Sequence, residues 1–248
     1  MKDWIYAFFM AWGMFLAIPC PFPRWRESAR GKMLVCLPLL GALLGALWAL
    51  AVWLLSVLHI ADPVAALLAA AFPWLTTGFI HLDGFMDVCD AVLSRRDLET
   101  RRKILKDSHC GAFAAISMVL LGLAQWAVCF GLVRSPALVP LACIPCAVRT
   151  CAALAVSHLR PMSTSQYAGQ KTMPAAHTAA LGLLLAAALI LPPVFCGPPG
   201  FAPLAAAAVY ALALRFAFRQ LDGMSGDISG FALTLGELAG LAVLFFTR

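Results

Sequence analysis

Apolar residues run along this chain in long unbroken stretches, and polar residues gather in the short segments between them. A bilayer crossing needs about 20 consecutive apolar residues. Stretches of that kind cover Met33 to Val57, Gly111 to Val133, Ala137 to Ser157 and Ala176 to Phe195, with shorter ones over Val64 to Ile80, Leu204 to Phe218 and Phe231 to Phe246. They predict about seven transmembrane helices. Pro73 predicts a kink in the Val64 to Ile80 span, and Gly41 with Gly45 suits close helix packing. Trp4 to Ile18 is apolar but short, and it ends at PCPFPRW. It reads equally as a re-entrant or interfacial helix and as a crossing. Asp3, the aromatic residues and the lack of a small-x-small site before Pro19 make it a retained segment rather than a signal peptide.

Composition turns this pattern into a fold class. With 62% hydrophobic and 12% charged residues, and a mean hydropathy of +0.89, the chain has too little polar surface to cover a soluble globule. The expected fold is an all-α, polytopic membrane helical bundle, with residues 1–248 forming one integral domain. The charges lie between the spans. If Arg24, Arg26, Arg30 and Lys32 are cytoplasmic, alternation puts Arg95 to Lys106, Arg160 and Lys171, and Arg215 with Arg219 on the same side. The other side receives HIADP, Arg134 and CGPPG. This layout predicts a multi-pass protein of the cytoplasmic (inner) membrane whose active site faces the cytoplasm. The net charge of +6 then serves orientation and phosphate affinity, and nothing points to nucleic acid. Nine cysteines are scattered mostly through apolar runs, where free Cys acts as a small hydrophobe. Cys143 and Cys146 have ligand spacing but no second pair to complete a site. The oligomeric state stays open, a homo-oligomer included.

One polar block stands out, His81 to Gly111, reading HLDGFMDVCDAVLSRRDLETRRKILKDSHCG. Asp83, Asp87 and Asp90 stand at i, i+4 and i+7, which on a helix places them within roughly 60° of one another. Carboxylates so crowded repel, unless a cation sits among them or they share protons. A solvated acidic face is the alternative. The apolar run before the cluster and the cations after it, Arg95, Arg96, Arg101, Arg102, Lys103 and Lys106, favour a magnesium site beside phosphate ligands. Asp97 predicts an N-cap for an amphipathic helix running to about Lys106. Asp107 is a further candidate ligand, and Ser108 a candidate cap for the next span. His81 is a candidate proton carrier or a hydrogen-bond partner to a carboxylate. In the turn DGMSGD, Gly226 and its neighbouring glycines would let backbone approach a phosphate, with Asp222 or Asp227 adding a ligand. Arg149 and Glu237 lie inside apolar runs, where an unpaired charge costs about 3 kcal/mol or more. Arg149 therefore reads either as a phosphate ligand or as an ion-pair partner of Glu237.

HLDGFMDVCDAV, RRKILKDSHCGAFA and GMSGDISG followed by Glu237 resemble the cobalamin synthase family, also called adenosylcobinamide-GDP ribazoletransferase. FLAIP and ARGKMLVCLPLLGALLG are similar to that family's opening pattern, so the resemblance covers most of the chain. It implies magnesium-dependent transfer between adenosylcobinamide-GDP and α-ribazole or its 5′-phosphate, with GMP released. It also implies Asp83, Asp87, Asp90, Asp107 and Asp227 as metal ligands. Phosphate oxygens would fall to Arg95, Arg96, Arg102, Lys106 or Arg149, with Ser108, Gly226 and Glu237 at the substrate, and Asp90 would be the first choice as base. Two departures stand out. Asp90 is followed by Ala91 where the family has glycine, and His109 stands where it has arginine. CDP-alcohol phosphotransferases and UbiA-type prenyltransferases also carry aspartates on membrane helices, but their motifs match less well. A secondary transporter predicts internal repeats, which the chain lacks.

Overall fold

Within residues 2–162 and 173–247, which the structure, a computed structural model, describes, the apolar stretches fold as helices and no strand forms. In chain order these are α1 (Lys2–Phe15), α2 (Met33–Val57), α3 (Asp62–Thr76), α4 (Ile80–Leu93), α5 (Leu98–Ile104) and α6 (Ala112–Arg134). After them come α7 (Leu138–His158), α8 (Ala175–Cys196), α9 (Ala202–Leu221) and α10 (Gly226–Phe246). Helices α2, α6, α7, α8, α9 and α10 are each long and apolar enough to cross a bilayer. The chain is a polytopic all-α membrane protein.

The expected span Val64 to Ile80 is where the structure departs from the sequence reading. Helix α3 has only 15 residues, about 22 Å against a hydrocarbon core of about 30 Å. Pro73 stays inside it without ending it. The break comes instead at Thr77, Gly78 and Phe79. Gly78 donates its N–H to Leu75 and Phe79 donates to Trp74, which closes the last turn of α3 on its own carbonyls. Both residues take left-handed backbone angles, φ 60° and 64°. Glycine adopts that region freely, whereas Phe79 does so at a cost. The chain leaves in a new direction, and α4 runs at 91° to α3. These two helices form a sharply bent pair, a broken span or a re-entrant element, rather than one kinked helix.

The N-terminal segment also departs from a simple crossing. Asp3, at the start of α1, pairs with Lys32 at 3.3 Å and with Arg26 at 3.5 Å. Both partners lie after the segment has returned. Along the way back, the Arg26 amide reaches the Met10 sulfur. Entry and exit are therefore tied to each other at one end of the bundle, so the segment doubles back instead of running through to the other end. At the far end of the bundle, Arg134, the last residue of α6, pairs with Asp62, the first of α3, at 2.6 Å, so the two lie at the same end, as in the predicted alternation.

Close packing fixes the rest. Helix α2 lies along α7, where a methyl group on Gly41 would come within 2.5 Å of the Pro145 carbonyl oxygen. Gly45 is as close to Ala142, so the small-residue pair does pack helices. Trp48 is fully buried and donates to the Ala69 carbonyl of α3 at 2.8 Å. Helix α8 stays at the edge, with Leu183 and Phe195 largely exposed on it, as side chains facing lipid are. Replacing Gly45 by Leu is expected to lower stability by at least about 1–3 kcal/mol, because backbone has to move. Unfolding of the detergent-solubilised protein measures this, and a Gly13→Leu control, where nothing lies within 4 Å, should change little.

Candidate active site

The turn at Phe79 lays α4 across the ends of α10 and α6. Near its start, Gly84 abuts the Asp227 backbone, where a methyl group would come within 2.8 Å of the Asp227 Cα. The next residue, Phe85, stacks on Phe231 of α10 at 5.8 Å between centroids. Near its end, Asp90 Oδ1 accepts from the Ala114 amide in the first turn of α6 at 3.3 Å. Val88, Cys89 and Val92 bury the underside. The upper side carries Asp83, Asp87 and Asp90, which line an open cavity of about 310 Å³ together with Lys106, Asp107, Ser108 and His109.

The charges there are unbalanced. Of the twelve acidic residues in the chain, seven are ion-paired to described residues and Asp97 caps α5 by accepting from the Thr100 amide at 3.0 Å. The other four are Asp83, Asp87, Asp90 and Asp227. Asp87, in the centre and half-buried, lies in the fields of the other three. These four carboxylates form no ion pair with any described residue, and as hard oxygen donors they have the chemistry to hold a divalent cation. They do not converge on one point. Among the described residues no three His, Cys, Asp or Glu side chains stand close enough to be a finished metal centre. A magnesium ion tolerates this, since it keeps water and takes one or two carboxylates plus phosphate oxygens.

The other predicted residues separate into two groups. Lys106, Asp107 and Ser108 do line the acidic cavity, whereas Arg95 and Arg96 do not line it and are exposed on the turn between α4 and α5. The Asp107 carboxyl is held below the usual carboxylate range by the His109 side chain, whose Nδ1 is 2.6 Å away, and by the His109 amide. Ser108 does not cap α6. Gly111 is the N-cap residue and has no side chain to offer, so Asp90 supplies the acceptor from α4. Gly111 also lies so close to the Asp90 carboxylate that any side chain there would collide. Asp90, the expected base, is thus engaged at a helix N-terminus.

Three more expectations change. Arg102 does not face the cavity: it donates to the Leu221 and Asp222 carbonyls at 3.0 and 2.8 Å and pairs with the Asp222 carboxylate, capping the end of α9. Asp222 also pairs with Arg160, which leaves Asp227 as the acidic residue of that turn facing α4. Arg149 and Glu237 pair with each other at 2.7 Å, both buried, so the ion-pair reading holds. His81 faces away from the aspartates into a second cavity with Arg149, Gly226 and Asp227, its ring 6.3 Å from Phe15. Lys171 lies outside the described residues. Gly84 and Gly111 were within recognised motifs, but their part as contact points shows only in three dimensions.

The sequence profile of the family described as CobS, Cobalamin-5-phosphate synthase, matches residues 7–245. The chain belongs to the cobalamin synthase family. Relatives named adenosylcobinamide-GDP ribazoletransferase include one from Clostridium botulinum (strain Alaska E43 / Type E3), 35% identical over 97% of both chains. One from Clostridium perfringens (strain 13 / Type A) is 35% identical over 98% of this chain and 99% of its own. Another, from Geobacillus kaustophilus, is 33% identical over 96% and 94%. No solved structure matches. Like the relatives so named, this cobalamin synthase family member is an enzyme.

The two kinds of aspartate on α4 should respond differently to truncation. Asp90→Ala is expected to destabilise this family member by about 1 kcal/mol, because the α6 amide loses its acceptor. Asp83→Ala, exposed and repelled by its neighbours, should be neutral or slightly stabilising. Thermal unfolding in detergent compares them, and equal losses would contradict the assignment.

Proposed function

We propose that the chain joins adenosylcobinamide-GDP to α-ribazole or its 5′-phosphate, releasing GMP and completing the lower nucleotide loop of adenosylcobalamin. The observation that carries this reading is the uncompensated acidic face of α4 and Asp227, in a chain whose relatives bear that transferase name. A ribazole hydroxyl oxygen bonds to the phosphorus next to the cobinamide. The bond from that phosphorus to the bridging oxygen breaks, and GMP leaves with the electron pair. The hydroxyl proton passes to a carboxylate. Asp227 is better placed for it than Asp90, because it borders both the acidic face and the second cavity.

Asp83 and Asp87 would hold magnesium, with Asp107 at the cavity rim, which leaves Asp227 free to take the proton. Bound there, the ion neutralises charge on the diphosphate and on departing GMP. Lys106, in the cavity lining, and Arg95 and Arg96, on the turn between α4 and α5, add cations for phosphate oxygens. The basic residues support placing this face on the cytoplasmic side of the inner membrane. Arg26 and Lys32, Arg95 to Lys106 and Arg160 gather at the end of the bundle that carries α4, and Arg134 lies at the other.

Protein in lipid nanodiscs, given both substrates and magnesium, should form product and GMP, and chelation of divalent ions should stop it. Asp87→Ala and Asp227→Ala should each lose about 100-fold or more in kcat/KM. Product formed equally well after chelation, or undiminished turnover by Asp87→Ala, would overturn the mechanism.

A further inference from the structure

The underside of α4 is not fully packed by protein. Beneath it runs a groove of about 390 Å³ between α4, α6, α9 and α10, with Val92, Leu120, Phe216 and Leu235 among its walls. Cys89 and Ser117 are the only lining residues with a polar side chain, and they hydrogen-bond to each other. A polar ligand would therefore leave its own groups unpaired here. On α6 the lining runs from Ser117 to Ala124, two helical turns or about 10 Å. That length and that lining suit a stretch of hydrocarbon chain. Leu120 and Phe216, 63% and 49% exposed, stand at the mouth, so the groove opens where lipid lies.

The helices also give the groove a depth. Ser117 is five residues from the start of α6, Phe231 five from the start of α10, and Phe216 five from the end of α9. Those three helix ends meet at the end of the bundle that carries α4, so the groove begins about 8 Å below them, within the leaflet on that side. Toward that end, Arg219 stands one turn beyond Phe216 and about 60° round α9 from it, with Arg215 one turn before Arg219 on the same face. Both arginines are exposed, and neither side chain forms an ion pair with any described residue. Like charges at this spacing repel, and no carboxylate offsets them.

We propose that the groove holds one acyl chain of an anionic phospholipid, with the lipid phosphate at Arg215 and Arg219. The long arginine stems lie along apolar surface while their guanidinium groups reach the headgroup layer. A zwitterionic lipid offers the same chain but brings its own cation to the two arginines, so charge selects the anionic class. Seated there, the chain completes the apolar packing beneath α4, whose other face carries the aspartates. The lipid thereby supports the acidic face without touching it.

Mass spectrometry of the intact, detergent-solubilised chain, titrated with dioleoylphosphatidylglycerol or dioleoylphosphatidylcholine, tests the assignment. The wild type should retain one phosphatidylglycerol in preference to phosphatidylcholine by about tenfold or more. Arg215→Gln combined with Arg219→Gln should bring the two lipids within about twofold of each other while leaving the lipid-free unfolding temperature unchanged. Ala124→Phe fills the groove from an exposed position and should weaken phosphatidylglycerol binding about fivefold although both charges remain. Glycerol 3-phosphate, which carries the charge without a chain, should not displace the lipid at equal concentration. A measurement on the wild type alone stands beside these variants: in nanodiscs, phosphatidylglycerol with a diazirine on its acyl chain should label α10 at Phe231, Leu235 or Leu238, and the phosphatidylcholine probe should label those positions less. Equal affinity for the two lipids, a preference that survives loss of both arginines, unchanged binding to Ala124→Phe, displacement by glycerol 3-phosphate, or equal labelling of α10 by the two probes would overturn the proposal.

Discussion

A helix that ends within a packed bundle must satisfy its last carbonyls, and the end of α3 does so within three residues. Gly78 and Phe79 donate back into the final turn, and their left-handed backbone throws the chain through a right angle. Everything that distinguishes this bundle from a plain set of crossings follows from that closure. Had α3 continued straight, the aspartates would have pointed along a span. Because it breaks, α4 lies across its neighbours with an apolar underside against α6 and α10 and its carboxylates on the other face.

The ends of the neighbouring helices hold α4 in that position. Asp90 reaches the first turn of α6, and Gly84 brings the α4 backbone against that of α10 at Asp227. On the far side of the cavity, Arg101 and Arg102 fasten α5 to Gln220, Leu221 and Asp222 at the end of α9. Cations that look free in a linear reading are thus spent on helix ends, where they meet orphan carbonyls. The bundle pairs its buried Arg149 with Glu237 at 2.7 Å, whereas the four carboxylates at this site form no ion pair with any described residue.

Much was legible in the sequence, for reasons local to each segment. Long apolar runs specify membrane helices because backbone groups in lipid have no other partner. Asp97 could be read as an N-cap from its place before LETRRKI, and Gly41 with Gly45 as a packing pair, since each depends on near neighbours and helical spacing. The shared face of Asp83, Asp87 and Asp90 follows from helical periodicity alone. Only the tertiary structure decided that α3 stops short, that Asp90 caps α6, that Arg102 serves α9, and that His81 turns away from the carboxylates toward Arg149. Those outcomes depend on which helix ends meet in space. A residue's own neighbours determine its helix and its face, but the partner that satisfies a distant amide or carbonyl is set by the packing of the whole bundle.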